Sequence, residues 1–496
     1  MKKIESRAHT DPEKTQKMAV SLYDTLTRSV QEIRPEDGKT LRFYCCGPTV
    51  YGPAHIGNLR TFLLQDVFRR TVEISGLPVN HVRNITDVDD KTIRESNNKG
   101  VPLKEFTREW TERFHRDSHA LNMLAPTAEP AATGHIRQQI ELIECLIDRG
   151  HAYASKSGSV YFRVSSFEDY GRLSRLRERE ITTGRATPDD DEPIDADEYE
   201  RDSGADFALW KAHKKEDGDV FWDSPWGRGR PGWHLECSAM SMAFLGETFD
   251  LHGGGVDLVF PHHENEIAQS EACTCKPFAR HWFHCAHLMV HGEKMSKSLG
   301  NLYTLDDIQA KGYGPMDLRY VLTSAHYRQQ LNFTIDSLNA AKNALKRLRK
   351  KADALIETAG ITREAFYDPE AIIKNSPEDA GVFRTAWQEL IDDLNTPGAL
   401  GEVFRTLGRI EKASIDADGN KQLAFSFAKI IHALGLDLHP DQEKTEAPEE
   451  IRKLAEERWQ AKKRKDFARA DALREELNEA GWSVLDRKDG YELEAG

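Results

Sequence analysis

The sequence predicts an α/β protein: a parallel-sheet domain split by an inserted subdomain, then an α-helical bundle and a small C-terminal α+β segment. Three observations predict it. Residues 41–85 read as strand, turn-rich loop, helix and strand, which is a βαβ unit. The same βα rhythm returns near Trp226, after a stretch of different composition. Beyond Tyr303 the apolar residues recur at helical spacing.

Each element has its own signal. Residues 1–38 are polar and predict an extension with at most one short helix. Leu41–Cys46 alternates as a strand, Gly47–Asn58 is rich in turn formers, and Leu59, Phe62, Leu63, Val67 and Ile74 mark a helix ended by Gly76 and Pro78. With the strand Val79–Ile85 this gives the first half of the sheet domain, residues 39–124. Residues 125–230 form the insertion, at the sheet's edge; its segment Glu178–Asp206 holds 12 acidic and 3 basic residues and reads as an exposed or mobile loop. A helix at Leu235–Leu245, a strand at Thr248–Leu251, a helix from His262 and a strand at His284–Val290 make the second half, residues 231–303. A linking helical region follows over 304–335. The stripes Leu338, Ala341, Leu345, Leu348 and Leu400, Val403, Phe404, Leu407, Ile410 predict a helical bundle at 336–440. Residues 441–496 predict two helices and a hairpin across Asp489-Gly490.

Composition narrows the functional classes. Of 496 residues 39% are hydrophobic, and no apolar run approaches the ~18 residues of a membrane span, so no membrane partner is expected. Lys plus Arg number 68 against 82 Asp plus Glu, a net charge of -14 that argues at first against a polyanionic partner. The Glu178–Asp206 segment alone supplies -9 of that charge. Seven cysteines, an odd count scattered along the chain, and an N-terminus lacking the apolar core of a secretory signal indicate a reducing, cytoplasmic setting. Cysteines there are buried, catalytic or metal-bound.

Two loops carry phosphate-type chemistry. The first runs Cys46-Gly47-Pro48-Thr49-Val50-Tyr51-Gly52-Pro53-Ala54-His55-Ile56-Gly57-Asn58. Gly57 permits close approach of a ligand, and the helix N-terminus behind it offers N–H groups and a positive dipole end. His55 and Asn58 stand where they can donate to phosphate oxygens, although such residues at a helix start are more often caps. The second loop is Lys294-Met295-Ser296-Lys297-Ser298, between Gly292 and Gly300. It can close over a polyphosphate and neutralise a leaving pyrophosphate. A solvated basic loop is the plainer reading unless it faces the first.

His55–Asn58 with Lys294–Ser298 resemble the paired nucleotide-binding signatures of class I aminoacyl-tRNA synthetases. Longer stretches are similar to the cysteinyl-tRNA synthetase family: Tyr44–Tyr51, Arg83–Lys91, Gly232–Met240, His252–Gly255 and Pro261–Glu266. The resemblance spans residues 20–496, with one departure, since Asn58 stands where the family usually has histidine. It implies a Rossmann-type catalytic domain that activates L-cysteine with ATP and Mg²⁺ and transfers it to the 3′ end of tRNA(Cys). On this resemblance His55, Asn58, Lys294 and Lys297 are the catalytic phosphate clamp, and Gly57, Gly253, Gly254, Asp257 and Ser296 join them in holding ATP. Thr86 and Trp233, with Cys46 and Cys237, wall the cysteine pocket. Asp257 stays open between the ribose and the substrate ammonium.

A metal-like set completes the site. Cys46 ends the first strand, Cys237 lies on the helix opening the second half, and His262 and Glu266 stand four apart on one helix face. If the halves pair in one sheet these four converge, and two thiolates, an imidazole and a carboxylate suit Zn²⁺. Cysteine's preference for burial leaves a plain core role open for both thiols. The resemblance implies one zinc per chain at these positions, bound by the substrate thiolate, which separates cysteine from serine without editing. A second set, Cys273, Cys275, His281 and His284, has metal-like spacing but falls outside the family's signature. Cys45 is expected on the sheet's other face, and His263 is expected to point elsewhere on its helix than His262, with lining the pocket as its open alternative.

A tRNA partner needs positive charge. Lys342, Lys346, Arg347, Arg349, Lys350 and Lys351 share one helix with no acid among residues 342–351. Residues 451–470 hold eight Lys or Arg against three acids, with Trp459 and Phe467 as stacking surfaces. The acidic segment is expected to face away from RNA, and the protein to be a monomer. Two other readings stand beside this one. An ATP-dependent cysteine ligase acting on an amino sugar would not need the long helical C-terminal part, and a catalytically silent RNA- or zinc-binding relative would not need an intact Lys294–Ser298 loop.

Overall fold

The computed structural model describes residues 19–176, 206–295, 300–410, 417–439, 448–464, 466–480, 482–487 and 490–495. The acidic Glu178–Asp206 segment, save its last residue, and Ser296, Lys297 and Ser298 lie outside the described residues. The chain opens with an antiparallel hairpin, β1 (Ser21–Asp24) and β2 (Ser29–Glu32). Next come β3 (Leu41–Cys45), α1 (Ile56–Ile74), β4 (Val79–Arg83), α2 (Asp90–Lys99), α3 (Leu103–Ala120) and α4 (Ile136–Asp148). The insertion contributes an antiparallel sheet of β5 (Ala152–Ala154), β6 (Val160–Phe162), β7 (Phe207–Ala212) and β8 (Gly229–Pro231). The second half supplies α5 (Trp233–Leu245), β9 (Phe249–Gly255), α6 (Glu264–Thr274), β10 (Ala279–Cys285), β11 (Leu288–Val290) and β12 (Glu293–Lys294). Then follow α7 (Leu305–Gln309), α8 (Pro315–Thr323), β13 (Leu331–Phe333), α9 (Ile335–Ala359), α10 (Arg363–Tyr367), α11 (Pro369–Asn375), α12 (Arg384–Ile391), α13 (Thr396–Ile410) and α14 (Ala417–Leu434). The C-terminal unit is α15 (Glu449–Lys463), α16 (Phe467–Glu479), β14 (Trp482–Arg487) and β15 (Gly490–Ala495).

The central sheet has the order β10-β9-β3-β4, and every neighbouring pair in it is parallel. β3 from the first half pairs with β9 from the second, so the two halves form one Rossmann-type sheet across the insertion. All five residues of β4 are at least half-buried and β9 is buried throughout, as sheets covered on both faces require. The strand order reverses between β3 and β9, and there a crevice opens at the strands' carboxyl ends.

The bundle does not stand apart from this sheet. Phe43, Leu64, Phe68 and Phe283 of the sheet domain belong to the same apolar core as Leu345, Trp387, Leu390, Phe425 and Leu434 of the helices. The predicted stripe residues Leu338, Ala341, Leu345 and Leu348 are all buried, as are Leu400, Val403 and Leu407. By contrast the C-terminal unit closes a small core of its own from Ile451, Ala455, Leu477 and Val484.

Three sequence expectations change. Residues 19–38 are a packed hairpin, with Val20, Leu22 and Ile33 in the core and Asp24 accepting from Trp282 N at 2.8 Å; four-residue strands are too short to show a period. A strand, β13, sits in the expected helical link and pairs in parallel with β11. Cys145 of α4 forms a disulfide with Cys273 of α6, their Cα atoms 5.8 Å apart, where free or metal-bound cysteines were expected. No helix among the described residues is long and apolar enough to cross a membrane.

One buried ionic knot fastens the parts. Asp66 of α1 accepts from Arg70 Nε at 2.9 Å and from Arg319 Nη2 of α8, and it also takes the Leu124 N–H. Arg319 in turn donates to the carbonyls of Leu121, Asn122 and Leu434. Burial alone would raise the Asp66 carboxyl, but the two guanidiniums hold it at about 2. Its contribution is therefore complete above the ordinary aspartate value and is lost as pH falls toward 2. Asp66→Ala leaves two buried guanidiniums short of a counter-charge, so denaturant unfolding of the variant at neutral pH is expected to show a loss of about 3–5 kcal/mol. Wild type and variant should converge in stability as the pH approaches 2.

Candidate active site and metal centre

The site lies where the β3–β9 pairing brings distant residues together. Cys46 N donates to Gly253 O at 3.2 Å, which sets Cys46 at the carboxyl end of the sheet's centre. Cys45, one residue earlier, packs on the opposite face in the main apolar core, as strand alternation predicts. From the second half, α5 brings Cys237, the turn before α6 brings His262, and α6 brings Glu266. In this cluster Cys46 Sγ lies 3.7 Å from Cys237 Sγ and 3.6 Å from Glu266 Oε1, and His262 Nε2 lies 3.0 Å from Glu266 Oε1. The four ligand atoms fall within 4.8 Å of one another, and all four residues are buried.

These separations fit a tetrahedral ion. Zinc-type bonds of 2.0–2.3 Å give tetrahedral edges of roughly 3.3–3.8 Å between ligand atoms. Supporting hydrogen bonds aim the ligands. His234 Nδ1 lies 3.0 Å from His262 Nδ1, which leaves Nε2 of His262 to face the cluster. His252 Nε2 holds the other Glu266 oxygen at 2.8 Å.

The charges are poised for a cation. Burial raises the Cys46 thiol well above its usual range. Against the same burial penalty Cys237 comes down to about 6, through its contact with Cys46 and the neighbouring His262 charge. His262 is carried up to about 10 by Glu266 despite its burial, while Glu266 is held at about 2 by His252 and His262. A metal ion held by these four residues would displace the protons of both His262 and Cys46.

Sequence reasoning missed part of this layer. His263 stands against the cluster from its own side: its Nε2 lies 3.3 Å from Cys46 Sγ and its Nδ1 lies 2.7 Å from His284 Nε2. Cys46, His252, His263 and Glu266 form a second group of metal-type atoms that shares two members with the first. The adjacent His262-His263 pair was the available signal, but the irregular turn over Val259–His263 breaks the helical spacing assumed for it. The separate set of Cys273, Cys275, His281 and His284 is not assembled, since Cys273 is in the disulfide and His284 joins His263 and Thr25.

A cleft of about 470 Å³ leads away from the cluster, with Cys46, Trp233, His55, Asn58, Gly255 and Asp257 in its walls. Trp233 packs on the His262 ring at 4.3 Å between centroids. Thr86 is not in the wall. It stands behind, accepting from Asn84 Nδ2 at 3.1 Å and donating to Glu236 at 2.9 Å. Gly253 and Gly254 are also absent from the wall; added Cβ atoms there would press on Phe43 and Phe283, and on His263. Their small size therefore serves packing.

His55 and Asn58 form a capping box at the start of α1: Asn58 N donates to His55 Nδ1 at 3.2 Å and His55 N donates to Asn58 Oδ1 at 3.3 Å. Burial lowers His55, so the ring is neutral, and with Nδ1 accepting, its proton sits on Nε2 as a donor. Ile56 N is already bonded to Tyr303 O, so fewer amides of the helix start are free for phosphate than expected. Met295, at the described start of the second loop, lies against the first loop, since a Cβ at position 57 would collide with its side chain. Lys294 lies in the exposed strand β12, beside this contact.

Residues 32–343 match the family model described as tRNA synthetases class I (C) catalytic domain, and residues 444–492 match the cysteinyl-tRNA ligase anticodon binding domain. The cysteine-tRNA ligase of Opitutus terrae is 55% identical over 482 residues, covering 96% of this chain and 99% of that one. The chain belongs to the cysteinyl-tRNA synthetase family. Its relatives include the cysteine-tRNA ligase of Methanosarcina acetivorans, 43% identical over 95% of this chain and 98% of the relative. Among solved structures, methionyl-tRNA synthetase of Mycobacterium tuberculosis with methionyl-adenylate aligns at TM-score 0.54 and 15% identity, over 80% of this chain and 90% of that one. That likeness shows the shared fold.

If the cluster holds a metal, elemental analysis of the purified protein should find one divalent ion per chain. Cys46→Ala and Glu266→Gln should lose it while keeping native circular dichroism.

Proposed function

We infer that the protein is a cysteine-tRNA ligase that activates L-cysteine with ATP and Mg²⁺ and transfers the cysteinyl group to the 3′ end of tRNA(Cys). The observation that carries this is a sulfur-rich, metal-type cluster that opens through Cys46 into a cleft walled by His55 and Asn58 at the start of α1, in a chain of this family. Of the two overlapping metal-type groups, Cys46, Cys237, His262 and Glu266 is the better fit to zinc, because its measured contacts approach tetrahedral edges and His252 is already engaged by the second Glu266 oxygen. Bound there, zinc supplies a direct bond to the substrate sulfur that serine's hydroxyl cannot match. His263 then orients Cys46, with its own other nitrogen fixed by His284.

Activation needs no general base, since the cysteine carboxylate is already the nucleophile. It attacks the α-phosphorus in line, and pyrophosphate leaves. The residues contribute position and charge. The His55 Nε2–H and the positive end of α1 face the phosphates, Asn58 fixes the His55 ring, and Lys294 and Lys297 offset charge on the leaving group. Asp257 at the cleft rim suits the ribose hydroxyls, being exposed beside His55 rather than near the cluster. In the second step a terminal ribose hydroxyl of tRNA attacks the acyl carbon and AMP leaves.

The anticodon-domain match over 444–492 favours tRNA over an amino-sugar acceptor. The exposed Phe467, with Lys463 over the Trp459 ring at 5.3 Å, gives that unit a surface suited to RNA bases. On α9 Lys342, Lys346 and Lys350 are exposed while the apolar stripe is buried.

Cysteine should drive exchange of pyrophosphate into ATP and serine should not. Cys237→Ser should lose its metal, and cysteine activation should fall further than the roughly 10–100-fold that supporting residues cost. A Cys237→Ser protein that activates cysteine at the wild-type rate without metal would overturn the pocket assignment. Because sheet and bundle share a core, the informative truncation is removal of residues 448–496, not of the whole helical part. Pyrophosphate exchange should survive that truncation, while aminoacylation at micromolar tRNA should drop steeply.

A further inference from the structure

We propose that Cys145, Cys273 and Cys275 form a thiol–disulfide exchange site, which opens and closes the bridge between α4 and α6 in response to a small thiol and its disulfide. This goes beyond the ligase reading, which makes no use of these three residues. The bridge joins Cys145 of the inserted subdomain to Cys273 in the last turn of α6. Cys275, two residues further on, is a free and exposed thiol, while both bridged cysteines are half-buried. Cys145 and Arg149 stand one turn apart on α4, and Arg149 Nη1 lies 3.1 Å from Cys275 Sγ. The two ends of the Cys273-Thr274-Cys275 segment therefore meet the same side of α4. A spacing of two residues keeps the Cα atoms of Cys273 and Cys275 within about 7 Å of each other.

The bridge is not what holds the helices together. Leu142, Ile143 and Leu146 of α4 share an apolar core with Ala268 and Ala272 of α6, and Glu271 ties the end of α6 to Arg172 at 2.7 Å and to Phe278 N at 3.0 Å. The fold can thus survive an open bridge. Five of the seven cysteines are free, and the cluster at the site needs Cys46 and Cys237 as unoxidised sulfurs, 3.7 Å apart, to hold a cation. A protein that works with its thiols reduced meets conditions in which a half-buried bridge is opened, and bridges in such settings are characteristically transient. Cys275 also occupies the left-handed turn that ends α6, at φ 56°, where glycine or asparagine is the usual residue. What the bridge controls is the far end of one helix face, since Glu266, Gln269 and Cys273 recur at helical spacing along α6 and Gln269 bonds the His234 carbonyl and Ser238 Oγ of α5.

Closing proceeds by three exchanges. The Cys275 thiolate attacks one sulfur of the small disulfide, forms a mixed disulfide and expels one thiolate of the reagent. The Cys273 thiolate attacks Cys275 Sγ and expels the second. The Cys145 thiolate then attacks Cys273 Sγ and returns Cys275 as a thiolate. In sum the small disulfide is reduced to two thiols, which take up the protons of Cys145 and Cys273, and that pair is oxidised to the bridge. Opening is the reverse, with two small thiols as reductant. L-cysteine with L-cystine is one such couple.

The full-length protein, held at set ratios of L-cysteine to L-cystine and sampled by alkylation and peptide mass spectrometry, should open its bridge in excess cysteine and close it again on added cystine. Closure should be about 10-fold slower in Cys275→Asn, which keeps the left-handed turn but removes the outward thiol. In the double variant Cys145→Ser, Cys273→Ser the mixed disulfide of Cys275 with cysteine should accumulate, because no thiol remains beside it to resolve it. Amide hydrogen exchange in the last turn of α6 should be severalfold faster in the open protein than in the closed one, with α1 unchanged. A bridge that stays closed in excess cysteine under native conditions would overturn the proposal, and so would equal closure rates in wild type and Cys275→Asn or equal protection of α6 in the two states. None of these readouts involves ATP or tRNA, so they stand apart from the ligase reading, which cysteine-dependent pyrophosphate exchange decides.

Discussion

Everything at the site depends on one strand pairing, β3 beside β9. The two strands come from opposite sides of an insertion, so the parallel ladder between them joins distant parts of the chain, Phe43 beside Leu251 and Cys45 beside Gly253. Once it forms, the Cys46 amide is fixed to Gly253 and the thiol is delivered to residues that lie some two hundred positions later in the chain. Glycine at 253 and 254 is part of the same constraint. Side chains there would push into Phe43, Phe283 and His263, and the ladder and the cluster would compete for one space.

Around that pairing the protein concentrates buried polar groups and lets them settle one another. Glu266 is the meeting point, bonded by His252 and His262 and close to Cys46. Two of the histidines are oriented in turn, His262 by His234, and His263 by His284, which reaches Thr25 of the N-terminal hairpin. The hairpin therefore belongs to the support of the site, although its sequence reads as a polar tail. A buried network of this kind is stabilising only when its members are satisfied together, which ties the precision of the pocket to elements far along the chain.

The sequence carried the architecture and the chemistry, and failed on particular residues for identifiable reasons. The βαβ unit, the divided sheet and the bundle stripes were legible because apolar spacing survives in long elements. Cys46, Cys237, His262 and Glu266 could be singled out because side chains of metal-binding type, brought together by the pairing of two half-sheets, are chemically unusual inside a core. The roles of His252, His263 and His234 were not legible, since they depend on distances between elements rather than on spacing within one. Thr86 is tied to Asn84 and Glu236, partners that the spacing along one strand end does not disclose. The Cys145–Cys273 disulfide was invisible because it joins α4 to α6 across 128 positions. Position 58, read both as a phosphate donor and as a cap, makes the cap at the start of α1.

The core shared by sheet and bundle has a consequence for how such a protein can change over evolutionary time. Residues such as Phe68 and Trp387 solve one packing problem between them, so the bundle cannot be exchanged for another without redesigning the underside of the sheet. The C-terminal unit, with its separate small core, carries no such obligation. Recombination that swaps RNA-reading modules is therefore channelled to the junction ahead of α15, and inheritance of the remainder is all or nothing.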